Sequence, residues 1–350
     1  MTELAIPAET TILTGGSGWF GRAYLAALAG ASDPDHARAG SVRVLVPRAA
    51  DAEVVTDVHP KAEIHVGDVT DAAVLRELMK DAEGASVVHA AGVIHPRRVS
   101  EFERVNVRGA QAVLDVARAV GARRLVHVSS NSPFGTNPHR GDVFRHDEPY
   151  RPYLGYGESK MHAEIAVRDA HGEGGMETVV VRPPWFYGEW QPLRQTKFFT
   201  LCRTGRFPVM GDGGMRRSMV YTGNLVEGVV RAELHPAAAG NAYWVADEKP
   251  YSLREIVETV RRVMREEGYP VSGRGVRVPQ IIGSVAEQAD RFLQSRGRYN
   301  QELHVLGEMN KTIACDISRT TADLGYRPPV ALEEGMRRSI RWCRARGISL

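Results

Sequence analysis

Tyr156 and Lys160 stand four residues apart in the run Tyr156-Gly157-Glu158-Ser159-Lys160, a spacing that puts both side chains on one face of a helix. A phenol titrates near ~10 and an ammonium near ~10.4. A positive charge beside the phenol favours phenolate and lowers its pKa. Such a pair can exchange a proton with a substrate oxygen. A Tyr and a Lys at this spacing are also an ordinary exposed helix pair, so the chemistry rests on what surrounds them. The run Thr14-Gly15-Gly16-Ser17-Gly18-Trp19-Phe20-Gly21 places glycines at 15, 18 and 21. Glycine serves where backbone turns tightly against a pyrophosphate, and a helix N-terminus favours the anion. At a first strand-to-helix junction this turn predicts dinucleotide binding. The second strand ends Leu45-Val46-Pro47-Arg48, with no carboxylate before Asp51. A carboxylate there would bond the adenine ribose, whereas arginine accommodates a 2′-phosphate, so Arg48 favours NADP over NAD.

The elements that must position these residues follow from the hydrophobic pattern. Strands are predicted at Thr10-Thr14, Val42-Val46, Ile64-Val66, Ser86-His89, Arg124-Ser129 and Thr178-Arg182. Helices are predicted near Trp19-Leu28, Asp71-Asp81, Ser100-Val120 and Leu154-His171. This alternation argues for an α/β fold, a Rossmann-like doubly wound parallel sheet covered on both faces. After Arg182 the pattern changes to a Pro-broken aromatic stretch, Pro183-Pro184-Trp185-Phe186-Tyr187. A helix near Leu225-Leu234 and a strand Ala242-Ala246 read as a return to the sheet. Ser252-x-x-Glu255 is a capping box opening an amphipathic helix, and segments 279–295 and 331–346 supply two more helices. The expected division is a dinucleotide-binding domain over 1–182, rejoined by 221–247. A smaller, mostly helical C-terminal substrate lobe would take 183–220 and 248–350.

Bulk properties narrow the class. The chain has 350 residues, 43% apolar and 25% charged, which fits a globular protein of one large and one smaller unit. Its 45 basic and 42 acidic residues are interspersed and give +3, so no domain-scale field suggests nucleic acid. The densest basic group, Arg337, Arg338, Arg341, Arg344 and Arg346, falls on the last predicted helix and reads as a solvated face. Three scattered cysteines without a CxxC and 12 histidines without an HExxH pairing argue against disulfides and a metal site. Met1 to Glu9 has no basic or apolar export region, and no apolar run is long enough to span a membrane. A cytoplasmic enzyme of small molecules is the expectation.

With these residues assembled, the chain resembles the extended short-chain dehydrogenase/reductase superfamily, in its NAD-dependent epimerase/dehydratase-like branch. The resemblance is carried by TGGSGWFG (14–21), GDVTD (67–71), HAAG (89–92), NVRGAQAVLDVA (106–117), VHVSS (126–130), YGESK (156–160), RPPWFYG (182–188) and DLGYRPPVALEEG (323–335). It implies that Tyr156 is the acid/base, that Lys160 lowers its pKa and bonds the nicotinamide ribose, and that Ser130 holds the substrate oxygen. The expected cofactor contacts are Gly15, Ser17, Gly18, Trp19, Phe20, Gly21, Arg48, Asp68, Val69, Ala90, Ala91, Gly92, Asn106, Tyr156, Lys160 and Pro183. For Asn106, a backbone-bridging role stands equally open. Asn131, Trp185, Phe186 and Arg217 are the expected substrate contacts, with no metal. A homodimer is a further expectation from the superfamily.

The superfamily's sugar-nucleotide dehydratases carry an Asp-Glu pair after the catalytic Ser/Thr. Asn131-Ser132 stands there instead, which disfavours water elimination. Arg217 could hold a diphosphate, as in nucleotide-sugar epimerases. The run Val220-Tyr221-Thr222-Gly223-Asn224-Leu225 is similar to 3β-hydroxysteroid-dehydrogenase-like members, which oxidise a secondary alcohol on an apolar substrate. The resemblance thus implies NAD(P)-dependent hydride transfer at a secondary alcohol or ketone, with the 3β-hydroxysteroid-dehydrogenase-like activity ahead of a nucleotide-sugar 4-epimerase or ketosugar reductase. A non-catalytic NADP-sensing regulator ranks last, because such proteins lose the tyrosine or lysine kept here.

Overall fold

Seven strands whose apolar residues alternate between two faces build the centre of the molecule. They are β1 (Thr10–Thr14), β2 (Ser41–Val46), β3 (Glu63–Val66), β4 (Ser86–His89), β5 (Arg124–Val128), β6 (Glu177–Arg182) and a seventh, Ala242–Trp244. The computed structural model describes residues 4–31 and 33–350, so the start of the Met1–Glu9 segment lies outside the described residues. All seven strands pair in parallel, in the order β3-β2-β1-β4-β5-β6-seventh. Leu13, Val44, Val88, Val126 and Val179 enter the core on one face of the sheet. Their neighbours Ile12, Leu45, Val87, Leu125 and Val180 enter the core on the other. A sheet buried on both faces needs strands this uniformly apolar. Helices α1 (Trp19–Leu28), α2 (Asp51–Thr56), α3 (Ala72–Leu78), α4 (Gly109–Ala119) and α5 (Leu154–Asp169) connect the strands. The strand order reverses between β1 and β4, where the carboxyl ends open a crevice suited to a dinucleotide.

Two local departures from the sequence reading matter. The long helix expected over Ser100-Val120 begins as a π-helical segment, Phe102–Arg108, before becoming α4. Wide turns of this kind often sit at functional sites, and this one carries Asn106. Helix α2 was not anticipated, because its single turn and a half shows too little periodicity to detect.

Beyond β6, the short strands Trp185–Tyr187 and Met219–Tyr221 pair in parallel. Helices α6 (Leu193–Thr204), α7 (Thr222–Leu234), α8 (Leu253–Glu266), α9 (Ile281–Ser295), α10 (Gln301–Glu308), α11 (Ser318–Leu324) and α12 (Leu332–Ala345) follow. Ser252 caps α8 by accepting from the Glu255 N–H at 3.0 Å, as its capping box requires. Phe199, Cys202, Ile256, Val260, Val263, Met264, Met336 and Ile340 form a separate apolar core here. On α12, Arg337, Arg341 and Arg344 bond Glu266 and Glu267 at the end of α8. All three cysteines are buried and free.

One ion pair fixes α5 to the carboxyl end of the sheet. Glu164 is fully buried on α5, and Arg182 ends β6 with 2% exposure. Arg182 Nε donates to Glu164 Oε1 at 2.9 Å, Ser129 Oγ donates to Oε2 at 2.7 Å, and Tyr150 Oη donates to Oε1 at 3.0 Å. The guanidinium lies 4.4 Å from the Phe134 ring centroid and 5.5 Å from that of Trp244. Removing one partner of such a pair leaves an uncompensated buried charge. Glu164→Ala should therefore cost ~3–5 kcal/mol of stability, measured by urea unfolding; a loss below about 1 kcal/mol would show that the pair is not a structural anchor.

Candidate active site

At the end of β1 the chain turns at Gly15, whose φ is +81°. A Cβ there would stand 2.7 Å from the Ala91 nitrogen and 2.8 Å from the Ala90 carbonyl carbon. Only glycine lets this turn lie against the loop after β4. Gly18 then opens α1 without a side-chain cap, and no acidic residue occupies the first turn. The first N–H groups of the helix are left for an anion. Ser17 is half-buried and Gly18 exposed. The geometry fits a dinucleotide pyrophosphate.

The remaining expected cofactor residues divide by what their side chains already touch. Trp19 Nε1 donates to the Glu189 carbonyl at 2.6 Å, and its ring lies 4.6 Å from Phe186, tying the glycine turn to the segment after β6. Phe186, expected as a substrate contact, packs on Trp19 of the glycine turn. Phe20 stacks on Tyr24 at 5.6 Å in the core, which leaves its backbone to face a ligand. Val69 is buried against Gly109 in the core. Asp68 bonds Thr70 and Arg104. Asn106 accepts from Val93 N at 2.8 Å and donates to Val93 O at 3.0 Å and to Ser159 Oγ at 2.9 Å. Those bonds clasp the Ala90–Gly92 loop to α5, the bridging alternative. Arg48 is largely exposed and bonds Asp51 twice at 2.9 Å, so its guanidinium already has a carboxylate partner.

Helix α5 brings the catalytic candidates to the end of β5. Gly157 permits this approach: a Cβ there would stand 2.5 Å from the Ser132 carbonyl oxygen. Tyr153 N donates to the same carbonyl at 3.0 Å. Leu154, with φ +53°, begins the helix in a conformation that L-residues rarely adopt. Ser130 Oγ accepts from Ser132 N at 3.2 Å and lies 3.3 Å from Ser132 Oγ. Burial pushes the Tyr156 phenol up to about 12, and the nearby Ser130 only partly offsets this. Lys160 Nζ donates to Val128 O at 2.8 Å and lies 3.3 Å from His127 Nε2. Burial brings Lys160 down to about 8, against the opposing pull of Glu164.

Behind Lys160 lies a buried file that the sequence reading did not single out. His127 and His89 are partners across β5 and β4, with rings 5.2 Å apart, and His89 Nδ1 meets Thr14 Oγ1 at 2.7 Å. Burial, then the Lys160 charge, lowers both imidazoles, His89 to about 3. Both are neutral at working pH.

Arg217, an expected substrate contact, is buried with its guanidinium 4.4 Å from the Trp185 ring, and one nitrogen bonds the Glu308 carbonyl. Helices α9 and α10 add groups that no motif announced. His304 Nδ1 meets Asp290 Oδ2 at 2.8 Å, and the His304 ring lies 5.3 Å from Tyr153 and 5.4 Å from Tyr299. Tyr299 contacts Phe102 at 5.7 Å, and Phe102 contacts Tyr156 at 5.8 Å. Among the described residues, Asn131 Nδ2, Tyr153 Oη, Arg217 Nη1 and Asp290 Oδ1 are buried without a hydrogen-bond partner.

These features meet a family model described as the NAD dependent epimerase/dehydratase family, which matches residues 11–246. The chain belongs to that family. It is an enzyme of the extended short-chain dehydrogenase/reductase type, using NAD(P). It is 44% identical to the uncharacterized protein y4nL of Sinorhizobium fredii, covering 100% of this chain and 99% of that one. It is 33% identical to the 4-hydroxy-2-methyl-3-oxo-4-farnesyl-3,4-dihydroquinoline-1-oxide ketoreductase of Stigmatella aurantiaca, covering 93% and 94%. The fold is shared with DesIV, a dTDP-glucose 4,6-dehydratase of Streptomyces venezuelae solved with NAD and TYD bound. That chain is 24% identical with a TM-score of 0.71, over 97% of this chain and 98% of that one.

The Lys160 ammonium has three protons, of which Val128 O and His127 Nε2 take two. The third has no partner among these contacts. A lysine lowered to about 8 loses its charge as pH rises through that value. Dinucleotide affinity, measured by fluorescence titration, should therefore fall across roughly pH 7–9. An affinity flat from about pH 6 to 10 would remove the ammonium from cofactor binding. The same shift has a stability sign. The folded pKa lies below the unfolded one, so the cost of burying this charge is complete below about 8 and fades as pH rises toward 10.5.

Proposed function

We propose that the protein is an NAD(P)-dependent oxidoreductase that moves a hydride to or from a secondary alcohol or ketone carbon on a polar, hydroxyl-bearing substrate. The observation that carries this reading is the buried Lys160, one helical turn from Tyr156 on α5, whose ammonium donates to Val128 O at 2.8 Å two residues before Ser130. The nicotinamide of a bound dinucleotide supplies or accepts the hydride. In the direction of reduction, Ser130 and Tyr156 both donate toward the substrate oxygen, and Tyr156 gives up its proton as the alcohol forms. A phenol held up to about 12 by burial keeps that proton at working pH and can donate it. The Stigmatella relative, a ketoreductase by name, supports the same direction.

The polar substrate is supported by the unpartnered Asn131, Tyr153, Arg217 and Asp290 atoms. A sterol, the expectation drawn from Val220–Leu225, offers almost nothing for them to bond. A second reading, nucleotide-sugar 4-epimerisation, is favoured by Arg217, whose free nitrogen could meet a diphosphate. Isotope transfer from deuterated NAD(P)H, assayed on a panel of ketosugars and aryl ketones, separates the two. Stoichiometric deuterium in the alcohol supports reduction, while epimer formation without net cofactor consumption supports the second reading.

Tyr156→Phe should lower turnover by at least ~10²-fold with cofactor binding retained; turnover within a few-fold of wild type would eliminate the proton-relay role. NADP selectivity is proposed from Arg48, which would have to exchange Asp51 for a 2′-phosphate. Arg48→Ala should then weaken NADP binding more than NAD binding, and equal effects in titration would dismiss the role.

A further inference from the structure

Among the described residues ten large apolar side chains are exposed, and five of them, Val276, Ile281, Ile282, Val285 and Phe292, fall between 276 and 292. At 100° per residue, Ile281, Val285 and Phe292 form one stripe along α9, with Ile282 at its edge. The opposite side of the helix is buried through Gly283, Ala286 and Asp290. Helix α9 therefore has two apolar-to-neutral faces, only one of which the fold covers.

Within the segment 270–300 the exposed charges have one sign, while Asp212 and Glu258 from neighbouring elements stand beside Val276 and Arg277. Arg274, Arg277, Arg291, Arg296 and Arg298 are all exposed, and no carboxylate between 270 and 300 is. The two acidic residues of that segment turn inward. Asp290 is fully buried against His304, and Glu287 pairs with Lys311 at 3.0 Å and with Arg291 at 3.4 Å. The Arg296 guanidinium lies 4.7 Å from the Phe292 ring, its charge at the border of the apolar stripe. Elsewhere in the chain basic and acidic residues are mixed, so this separation is local.

We propose that the outer face of α9 docks on an anionic lipid bilayer. Apolar side chains along one helix face, bordered by arginine, match the interfacial pattern in which the stripe enters the acyl boundary while the cations meet phosphates. A second copy of the chain is disfavoured, because an isologous contact would set arginine against arginine. The helix lies on the surface: no described helix is long and apolar enough to cross a membrane. Docking also brings the bilayer beside the catalytic helix, since Gln294 Oε1 accepts from Gly155 N at 3.2 Å at the start of α5. The proposal stands independently of the substrate reading.

Co-sedimentation of the full chain with phosphatidylglycerol-containing vesicles and with pure phosphatidylcholine vesicles tests it. The expected result is at least ~10-fold tighter binding to the anionic vesicles, weakened by salt. Both Val285→Glu/Phe292→Glu and Arg277→Gln/Arg296→Gln should reduce that binding ~10-fold or more, with unchanged melting temperature and turnover, because these side chains are exposed. Absence of anionic-vesicle binding at low salt would overturn the proposal, as would equal binding by the variants. So would a wild-type dimer in sedimentation velocity that the Val285/Phe292 variant converts to monomer, which would make the face a self-interface. Competition by soluble polyglutamate but not by anionic vesicles would likewise overturn it in favour of an acidic polypeptide.

Discussion

Glu164 and Arg182 are both removed from water, and neither charge would be tolerated there alone. Their pairing fixes three things at once. Arg182 sets the end of β6, from which the chain enters the Pro183–Phe186 segment. Ser129, bonded to the same carboxylate, sets the end of β5 one residue before Ser130. Glu164 itself lies one helical turn beyond Lys160, so the rotation of α5 about its axis is decided by the same bonds. The positions of Ser130, Tyr156 and Lys160 relative to the sheet therefore follow from one buried carboxylate, which also pulls against the loss of the Lys160 charge.

The next constraint is how many charges the interior holds. Lys160 donates toward His127 Nε2, so that nitrogen carries no proton and the ring's proton is assigned to Nδ1. His89, one strand further in, is neutral for the same reasons of burial and a nearby cation. Two histidines beside a lysine could have raised three charges against one another. Burial suppresses two, and a single ammonium remains where a cofactor ribose is expected. The Tyr156 phenol, held in its protonated form, completes a site that waits as a donor.

What could be read from the sequence was what depends on local pattern. The strands were legible because burial on both faces demands uninterrupted apolar runs, and Gly15 and Tyr156 because close approach and proton transfer admit few residue types. The Arg48–Asp51 pair lies only three residues apart, yet composition could not say which of the two partners, carboxylate or phosphate, the arginine faces. Asp290, His304 and Glu308 were illegible for a different reason. Their meaning comes from Tyr153 and Arg217, roughly 90 to 150 residues away in the chain, and no spacing rule spans that distance. Helix α6 escaped because Leu193 is exposed and its aromatic residues do not form one stripe.

Those late residues bear most directly on substrate choice. A buried donor or acceptor without a partner costs ~1–3 kcal/mol. Asn131, one residue after Ser130, Tyr153, three before Tyr156, Arg217 and Asp290 each present one such atom. A ligand that bonds them recovers that cost, while an apolar ligand of the same size seals them away from water and makes it permanent. Selectivity for a hydroxylated substrate can thus arise from the penalty imposed on the alternative as much as from attraction. Because Asp290 sits on the inner face of α9 and Phe292 on its outer face, one helix carries both a buried carboxylate held by His304 and an apolar stripe turned toward the surroundings.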